Sequence, residues 1–188
     1  MDFVLARAIN GLGAGLIDPA TELISSIAFL VTAWTLLLAL LIWRNRSHAK
    51  ELAVGVLFAL LTHVVVSEGV LKHAMLRFVA KRARPWIAHP HEIVPVGFHF
   101  EDSSFPSSHA ASTTAVLFVV AWHHPRMRIP AALFVVLMAF ARVHNGMHYP
   151  TDVLTGTLLG LGYGWLGVTI ARAIAARCGW SDARGSGA

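Results

Sequence analysis

The feature that most constrains this chain is a long apolar run near its beginning. From Leu23 to Trp43 no residue carries a charge. A helix of about 20 residues, rising about 1.5 Å per residue, crosses the roughly 30 Å hydrocarbon core of a bilayer. A water-soluble domain rarely buries a helix that is apolar on every side. The run therefore predicts a membrane-spanning helix.

Four further segments complete the predicted set of spans. Val153 to Ala171 is a second long uncharged run. Three shorter apolar runs reach membrane length when the polar residues beside them are included: Leu52–Arg77, Ser107–His124 and Arg126–Asn145. We therefore expect an all-α integral membrane helical bundle with five transmembrane helices, in a single domain covering residues 1–180.

The two ends of the chain have different patterns. Between Met1 and Leu16, apolar residues recur at Phe3, Val4, Ala8 and Leu12, which is roughly helical spacing. This pattern favours an N-terminal helix lying in the membrane interface, with a frayed terminus as the alternative. Residues 181–188 are small and polar and predict a disordered tail.

Composition excludes several classes of protein. Hydrophobic residues make up 56% of the chain and charged residues 13%, whereas soluble domains carry about a quarter charged residues. So apolar a chain is not intrinsically disordered. The one cysteine, Cys178, excludes a disulfide framework and a cysteine-rich metal site.

The basic residues indicate how the chain is oriented. The net charge is +5, but no basic-aromatic module of a nucleic-acid-binding type is present, so nucleic acid is not an expected partner. Five spans would place one group of bases in short turns beside helix ends: Arg44, Arg46, Lys50, Arg126, Arg128, Arg172, Arg177 and Arg184. The positive-inside rule predicts that this face is cytoplasmic and that the opposite face is extracytoplasmic.

Three polar motifs fall on the predicted extracytoplasmic face. They are Arg77-x6-Arg84-Pro85, Pro106-Ser107-Ser108-His109 and Arg142-x5-His148-x3-Asp152. Helical spacing would align Arg77, Lys81 and Arg84 on one side. The Pro-Ser pair suits a helix start, where free N–H groups and the positive dipole end can hold an anion. The motifs together predict an anion site.

These motifs resemble those of the phosphatidic acid phosphatase type 2 superfamily, whose pattern is K-x6-RP, PSGH and SR-x5-H-x3-D. The resemblance extends from about Leu52 to Ala171. The length and the segment between the first two motifs are most similar to the bacitracin-resistance type of undecaprenyl-diphosphate phosphatase. Three positions depart from the pattern, with arginine at 77, serine at 108 and alanine at 141. Lys81 is an alternative to Arg77 for the first basic role.

The resemblance implies a role for each motif residue. His148 would be the nucleophile that forms a phosphohistidine, and Asp152 would hold its other ring nitrogen. His109 would protonate the leaving oxygen and then activate water. Neither a metal nor another cofactor is implied. The implied phosphate-binding residues are Arg77, Arg84, Ser107, Ser108 and Arg142.

The expected function is hydrolysis of undecaprenyl diphosphate to undecaprenyl phosphate and phosphate, with the site on the outer side of a bacterial inner (plasma) membrane. The partners would be the lipid phosphate substrate and membrane lipids. A phosphatase for phosphatidylglycerol phosphate or phosphatidic acid is the alternative enzyme, and a non-catalytic lipid-phosphate binder or flippase is the alternative outside enzymes. The oligomeric state is not readable from the sequence.

For several other residues the sequence allows two interpretations. Glu68 and Lys72 suit an ion pair near a helix end or a functional intramembrane pair. Gly156, Gly160 and Gly164 suit close helix packing within the chain or between two copies. Histidines with acidic neighbours occur in two places where metal binding is the less favoured interpretation: His144 with His148 and Asp152, and His89, His91 and His99 with Glu92, Glu101 and Asp102. Aromatic residues of the loop before the second motif suit lipid access or surface anchoring: Trp86, Phe98, Phe100 and Phe105.

Overall fold

The computed structural model describes residues 1–13, 15–44, 46–74 and 81–180. Arg77 and the tail at 181–188 lie outside the described residues. Within the described ranges the regular elements are helical and no β-strand occurs. The predicted all-α class is confirmed.

The described ranges contain eight α-helices. Their bounds are α1 Asp2–Asn10, α2 Asp18–Ser25, α3 Ile27–Arg44, α4 Ala49–His63, α5 Pro85–Ala88, α6 Ser108–His123, α7 Arg128–His144 and α8 Pro150–Arg177. A π-helical stretch, Val64–Ala74, continues α4, and short 3-10 turns at Arg46–His48 and Pro125–Met127 precede α4 and α7.

Among the residues that the structure describes, four helical stretches are long and apolar enough to cross a membrane: Ile27–Arg44, Ala49–His73, Pro125–His144 and Pro150–Arg177. They coincide with four of the five predicted spans, and the chain is an integral membrane protein. The fifth predicted span is α6, which has 16 residues. The count of five therefore stays a prediction.

The central helix of the bundle is α6. It packs most extensively against α8 and α4. Ala111, Ala115 and Val119 are fully buried along it, and they contact Leu52 and Val56 of α4 within one apolar cluster. By contrast, α3 fully buries only Leu30. One side of α3, including Trp34 and Leu38, packs half-buried against the core, and the other side is exposed, as in a lipid-facing helix.

Glycines of α8 let that helix approach α6 at backbone distance. A Cβ added at Gly156 would lie 2.4 Å from the carbonyl oxygen of Ser107, and one at Gly160 would lie 2.4 Å from that of Ala111. Even alanine would clash at these two positions. The glycine stripe is therefore used for packing within the chain, the first of its two interpretations.

The N-terminal region contains one more helix than the sequence predicted. Helix α1 is shorter than the predicted Met1–Leu16, and α2 is a separate helix that was not predicted. Asn10 fastens α1 to the bundle, since its side chain donates to Val94 O at 2.7 Å and to His144 O at 2.6 Å. The interfacial placement of α1 stays a prediction.

Candidate active site

A cavity of about 180 Å³ lies at one end of the bundle, where the second and third motifs meet. The π-helical end of α4, the start of α6, the end of α7 and the loop before α8 all contribute to it. Its charged and polar lining includes Lys72, Arg84, Ser108, His109, Arg142 and His148. Residues more than 70 positions apart in sequence thus share one pocket.

His148 is held in one defined tautomer. Its Nδ1 lies 2.7 Å from the carbonyl oxygen of Ser104, which can only accept, so Nδ1 carries the proton. Its Nε2 lies 3.2 Å from Nη1 of Arg84, which can only donate, so Nε2 carries the lone pair. The imidazole therefore presents an unprotonated nitrogen beside the arginine that faces the cavity.

The electrostatic surroundings keep this imidazole neutral. His148 is 1% exposed and lies in the turn between α7 and α8. Burial, followed by the positive charges of Arg142 and Arg84, holds the pKa of His148 well below its usual value. A neutral, oriented imidazole is the form that can act as a nucleophile.

Asp152 differs from the predicted arrangement. Its carboxylate lies 3.9 Å from Nδ1 of His148, too far for a hydrogen bond. The carboxylate instead accepts from Ser104 Oγ at 2.5 Å and from the Tyr149 N–H at 2.8 Å. Asp152 thus reaches His148 through Ser104, because the turn at the start of α8 directs its carboxylate to that hydroxyl and to the helix cap.

Two guanidinium groups have buried N–H groups free for a ligand. Within the described residues, Nε and Nη2 of Arg142 and Nε of Arg84 are buried and have no hydrogen-bond partner. Arg142 is 3% exposed and Arg84 is 2% exposed. Buried polar groups are normally paired, so unpaired N–H groups on two guanidinium groups beside one cavity indicate an anionic ligand.

The first motif is not the continuous helix that the spacing suggested. Residues Lys81 to Arg84 are not helical, and Arg84 is the extended residue that precedes α5. The predicted alignment on one helix face is therefore wrong for Lys81 and Arg84. Pro85 disfavours helical backbone at the residue before it, which is Arg84. Lys81 is exposed, whereas Arg84 is buried against the site.

The second motif begins α6 as predicted. Ser107 is the N-cap, and its side chain accepts from the N–H of Ala110 at 3.5 Å. Ser107 is fully buried and its own N–H donates to the Asp152 carbonyl at 3.1 Å, so it joins the second and third motifs and does not line the cavity. Ser108 and His109 do line it, and Nε2 of His109 has no partner among the described residues.

Asp102 belongs to this site, although its sequence context did not predict it, and Lys72, which had two interpretations, belongs to it as well. Lys72 Nζ donates to Asp102 at 3.0 Å, and Arg84 Nη2 donates to the other oxygen of the same carboxylate. Although burial opposes it, the hydrogen bond from Arg84 and the charges of Lys72 and Arg84 lower the pKa of Asp102. The sequence signal for Lys72 was its i,i+4 spacing from Glu68. In the structure, Lys72 Nζ lies 3.5 Å from Oε1 of Glu68.

Arg82 is a second residue that was missed. Its guanidinium donates to Thr151 Oγ1 at 2.8 Å and to the carboxylates of Asp152 and Asp2. It therefore ties α1 to the start of α8. The cluster of bases at Lys81–Arg84 was the available signal, but spacing alone does not tell which base faces inward.

The alternative metal clusters do not assemble. His144 points to the N-terminal region, with Nδ1 3.0 Å from Ile9 O and Nε2 2.9 Å from Asp18. Among residues that the structure describes, neither this histidine with His148 and Asp152 nor the loop histidines bring three ligand atoms together. His144 is instead a structural anchor for α1 and α2.

Fold and site together define a membrane-bound enzyme of the phosphatidic acid phosphatase type 2 class. The family model described as the PAP2 superfamily matches residues 52–175 of this chain. The chain belongs to that superfamily, and it is a lipid phosphatase of this kind.

Individual relatives have related activities. The chain is 28% identical to the undecaprenyl-diphosphatase BcrC of Bacillus subtilis (strain 168), over 88% of this chain and 82% of that protein. It is 34% identical to the lipid A 1-phosphatase of Rhizobium etli, over 71% of this chain and 57% of that protein.

Solved structures share the fold. LpxE of Aquifex aeolicus superimposes with a TM-score of 0.66 at 20% identity, over 88% of this chain and 93% of that one. A PAP2-type phosphatidylglycerolphosphate phosphatase from Bacillus subtilis superimposes with a TM-score of 0.63 at 21% identity, over 92% of this chain and 85% of that one.

Proposed function

We propose that this protein hydrolyses undecaprenyl diphosphate to undecaprenyl phosphate and inorganic phosphate through a phosphohistidine on His148. The observation that carries the proposal is one cavity lined by two imidazoles and by two guanidinium groups that each keep an unpaired N–H group among the described residues. The similarity to BcrC supports the diphosphate substrate. The roles of the individual residues are part of the proposal.

The first step transfers the terminal phosphoryl group to the protein. Nε2 of His148 attacks the terminal phosphorus, and the bond from that phosphorus to the bridging oxygen breaks. His109 gives a proton to the bridging oxygen, and undecaprenyl phosphate leaves with that oxygen. Arg142 and Arg84 stabilise the charge on the equatorial oxygens, where phosphoryl transfer concentrates it.

The second step frees the enzyme. His109, now unprotonated, takes a proton from a water molecule as that water attacks the phosphohistidine. The N–P bond breaks, inorganic phosphate leaves, and His148 regains its lone pair. Asp152 and Ser104 keep the ring oriented throughout, through the Ser104 carbonyl on Nδ1. This chemistry uses donors of the chain itself, and we expect activity without a metal and inhibition by vanadate.

An apolar groove next to the cavity supports a substrate with a long hydrocarbon chain. This groove has a volume of about 290 Å³ and shares Ile27, Ser108 and His109 with the site cavity. Its other walls are mainly apolar residues of α3, α4 and α6, including Leu30, Val31, Trp34, Leu60 and Val116. An isoprenoid tail lying there would keep its diphosphate beside His148.

The membrane arrangement is also part of the proposal. We infer that residues 1–180 form one domain whose helices α3, α4, α6, α7 and α8 cross the bilayer, with α1 in the interface. Crossings in alternate directions put the starts of α6 and α8 and the end of α7 on one face, where the cavity lies. The positive-inside rule places that face outside a bacterial inner (plasma) membrane.

Another lipid phosphate is the second candidate substrate. Relatives include a lipid A 1-phosphatase and phosphatidylglycerophosphatase B of Bacillus subtilis (strain 168), to which the chain is 31% identical over 45% of its length. Both phosphatidylglycerol phosphate and phosphatidic acid present a phosphate beside apolar chains, as the cavity and groove require. A non-catalytic binder would use the same cavity without turnover.

Phosphate release from a lipid panel tests the proposal. Purified protein in detergent is given undecaprenyl diphosphate, phosphatidylglycerol phosphate and phosphatidic acid, with His148→Ala as the matched inactive control. We expect the highest kcat/KM for undecaprenyl diphosphate, and no turnover by the variant. A higher value for a glycerolipid would overturn the substrate assignment, and binding without release would support the non-catalytic alternative.

A further inference from the structure

A second cluster of histidine and carboxylate lies at the opposite end of the bundle. His48 ends the 3-10 turn between α3 and α4, Glu51 lies in the first turn of α4, and His123 is the last residue of α6. One potential ligand atom from each residue lies within 4.8 Å of the other two. Since α6 runs from this cluster to His109, about 20 Å of helix separates it from the catalytic cavity.

The cluster contains groups that lack partners. Glu51 is 8% exposed, and it forms no ion pair within the described part of the chain. Nε2 of His123 and Nε2 of the adjacent His124 are buried without a hydrogen-bond partner among those residues. A buried carboxylate that no cation compensates is costly, and orphaned buried imidazole nitrogens are uncommon.

A bound cation would satisfy Glu51 and His123 together. Two imidazole nitrogens and one carboxylate oxygen form a ligand set that suits Zn²⁺, with water in the fourth position. Bonds of about 2.0–2.1 Å in tetrahedral geometry set ligand atoms about 3.3 Å apart. The ligand atoms would therefore close by up to about 1.5 Å on binding, a movement that rotation of the His48 and His123 rings can supply.

We propose that His48, Glu51 and His123 bind a divalent transition-metal ion of the Zn²⁺ type. The ion joins the turn between α3 and α4 to the end of α6. Its role is structural, because no part of the cluster reaches the catalytic cavity. The site is independent of the proposed lipid phosphatase reaction, so either proposal can fail without the other.

Metal binding to tag-free protein tests this site. The protein in detergent is treated with EDTA, freed of chelator and titrated with Zn²⁺, and bound zinc is counted by mass spectrometry while thermal unfolding is followed. We expect one zinc per chain and a rise in apparent Tm of about 5 °C or more at saturating Zn²⁺. Zinc binding that stays well below one per chain would overturn the proposal.

Variants separate this site from adventitious binding. His48→Ala and Glu51→Gln should each weaken zinc affinity at least about tenfold and remove most of the zinc-dependent rise in Tm. The matched control His91→Ala changes an exposed loop histidine at the other end of the bundle, and it should bind zinc like the parent. Equal affinity in His48→Ala and the parent would show that the zinc lies elsewhere and overturn the assignment.

A measurement on the unaltered protein covers the case in which a variant does not fold. Co²⁺ added in place of Zn²⁺ should give the intense visible bands of a four-coordinate site. The weak spectrum of a six-coordinate, water-rich ion would contradict the proposed ligand set.

Discussion

The two ends of the bundle contain similar residue types and yet offer sites for ligands of opposite charge. At one end His109 and His148 face the cavity together with Arg84 and Arg142. At the other end His48 and His123 face Glu51. The histidines at both ends supply nitrogen atoms that can accept or donate hydrogen bonds.

Buried charge, and not the histidines, therefore decides what such a cluster binds. Two buried guanidinium groups with free N–H groups make the first end a site for an anion. A buried carboxylate without a cationic partner among the described residues makes the second end a site for a cation. A substitution that weakened anion binding at the first end and cation binding at the second end equally would contradict this division of roles.

The largest expected effect is on turnover. His148→Ala removes the proposed nucleophile and His109→Ala removes the proposed acid, so each should lower kcat by about 10³-fold or more. Initial rates of phosphate release measure the effect. His91→Ala should keep the parent rate, and near-parent activity in either of the first two variants would rule out its assigned role.

A smaller loss is expected when the shape of a cation changes but its charge does not. Arg142→Lys replaces a planar fork by a point charge in a buried place and should lower kcat/KM by about 10²-fold. Arg126→Gln removes an exposed charge at the opposite end and should leave kcat/KM unchanged. Equal values for Arg142→Lys and the parent would show that this guanidinium does not hold the phosphoryl group.

Helix packing gives a prediction about stability. Gly156→Ala would place a Cβ 2.4 Å from the Ser107 carbonyl oxygen and should destabilise the fold by about 1–3 kcal/mol. Gly162 of the same helix has open space around it, so Gly162→Ala should be neutral or stabilising by up to about 1 kcal/mol. Thermal unfolding in detergent compares the two, and equal effects would contradict the close contact of α6 and α8.

The smallest expected effect is a pH dependence of stability that comes from His148. Burial, and after it Arg142 and Arg84, lower the pKa of this imidazole in the folded protein. The unfolded chain takes up a proton near pH 6.5, whereas the folded chain does not, so the free energy of unfolding falls as the pH drops below about 6.5. The contribution of one such group is at most about 1.4 kcal/mol per pH unit.

A matched pair of variants isolates that contribution. The apparent Tm of His148→Gln should fall less than that of the parent when the pH is lowered from about 7.5 to about 5. His91→Gln changes an exposed histidine and should keep the slope of the parent. An unchanged slope in His148→Gln would mean that this imidazole is not held neutral by the fold.

Much of the fold followed from the sequence because lipid-facing and buried helices must be apolar along their length. The apolar runs located α3, α4, α7 and α8, and Pro150 and Ser107 located the starts of α8 and α6. Helix α2 was missed because its last three residues, Leu23 to Ser25, belong to the apolar run of the predicted first span. Ser26, which is extended and accepts from the N–H of Phe29 at 3.1 Å, separates α2 from α3.

The site was predictable as a set of motifs but not as a set of contacts. Spacing identified His148, His109 and Arg142, whereas the partner on Nδ1 of His148 is a backbone carbonyl, and any residue type can supply one. Asp102 reaches Lys72 across 30 positions of sequence, and no local pattern records such a contact. Long-range geometry of this kind depends on how the loops fold over the helix ends.

Trapping the covalent intermediate tests the central claim most directly. The protein is mixed with undecaprenyl diphosphate labelled in its terminal phosphate, quenched within milliseconds and examined by peptide mass spectrometry under alkaline conditions, where phosphohistidine survives. We expect label on His148 in the parent and on no residue in His148→Ala. A protein that releases phosphate without labelling His148 would contradict the account.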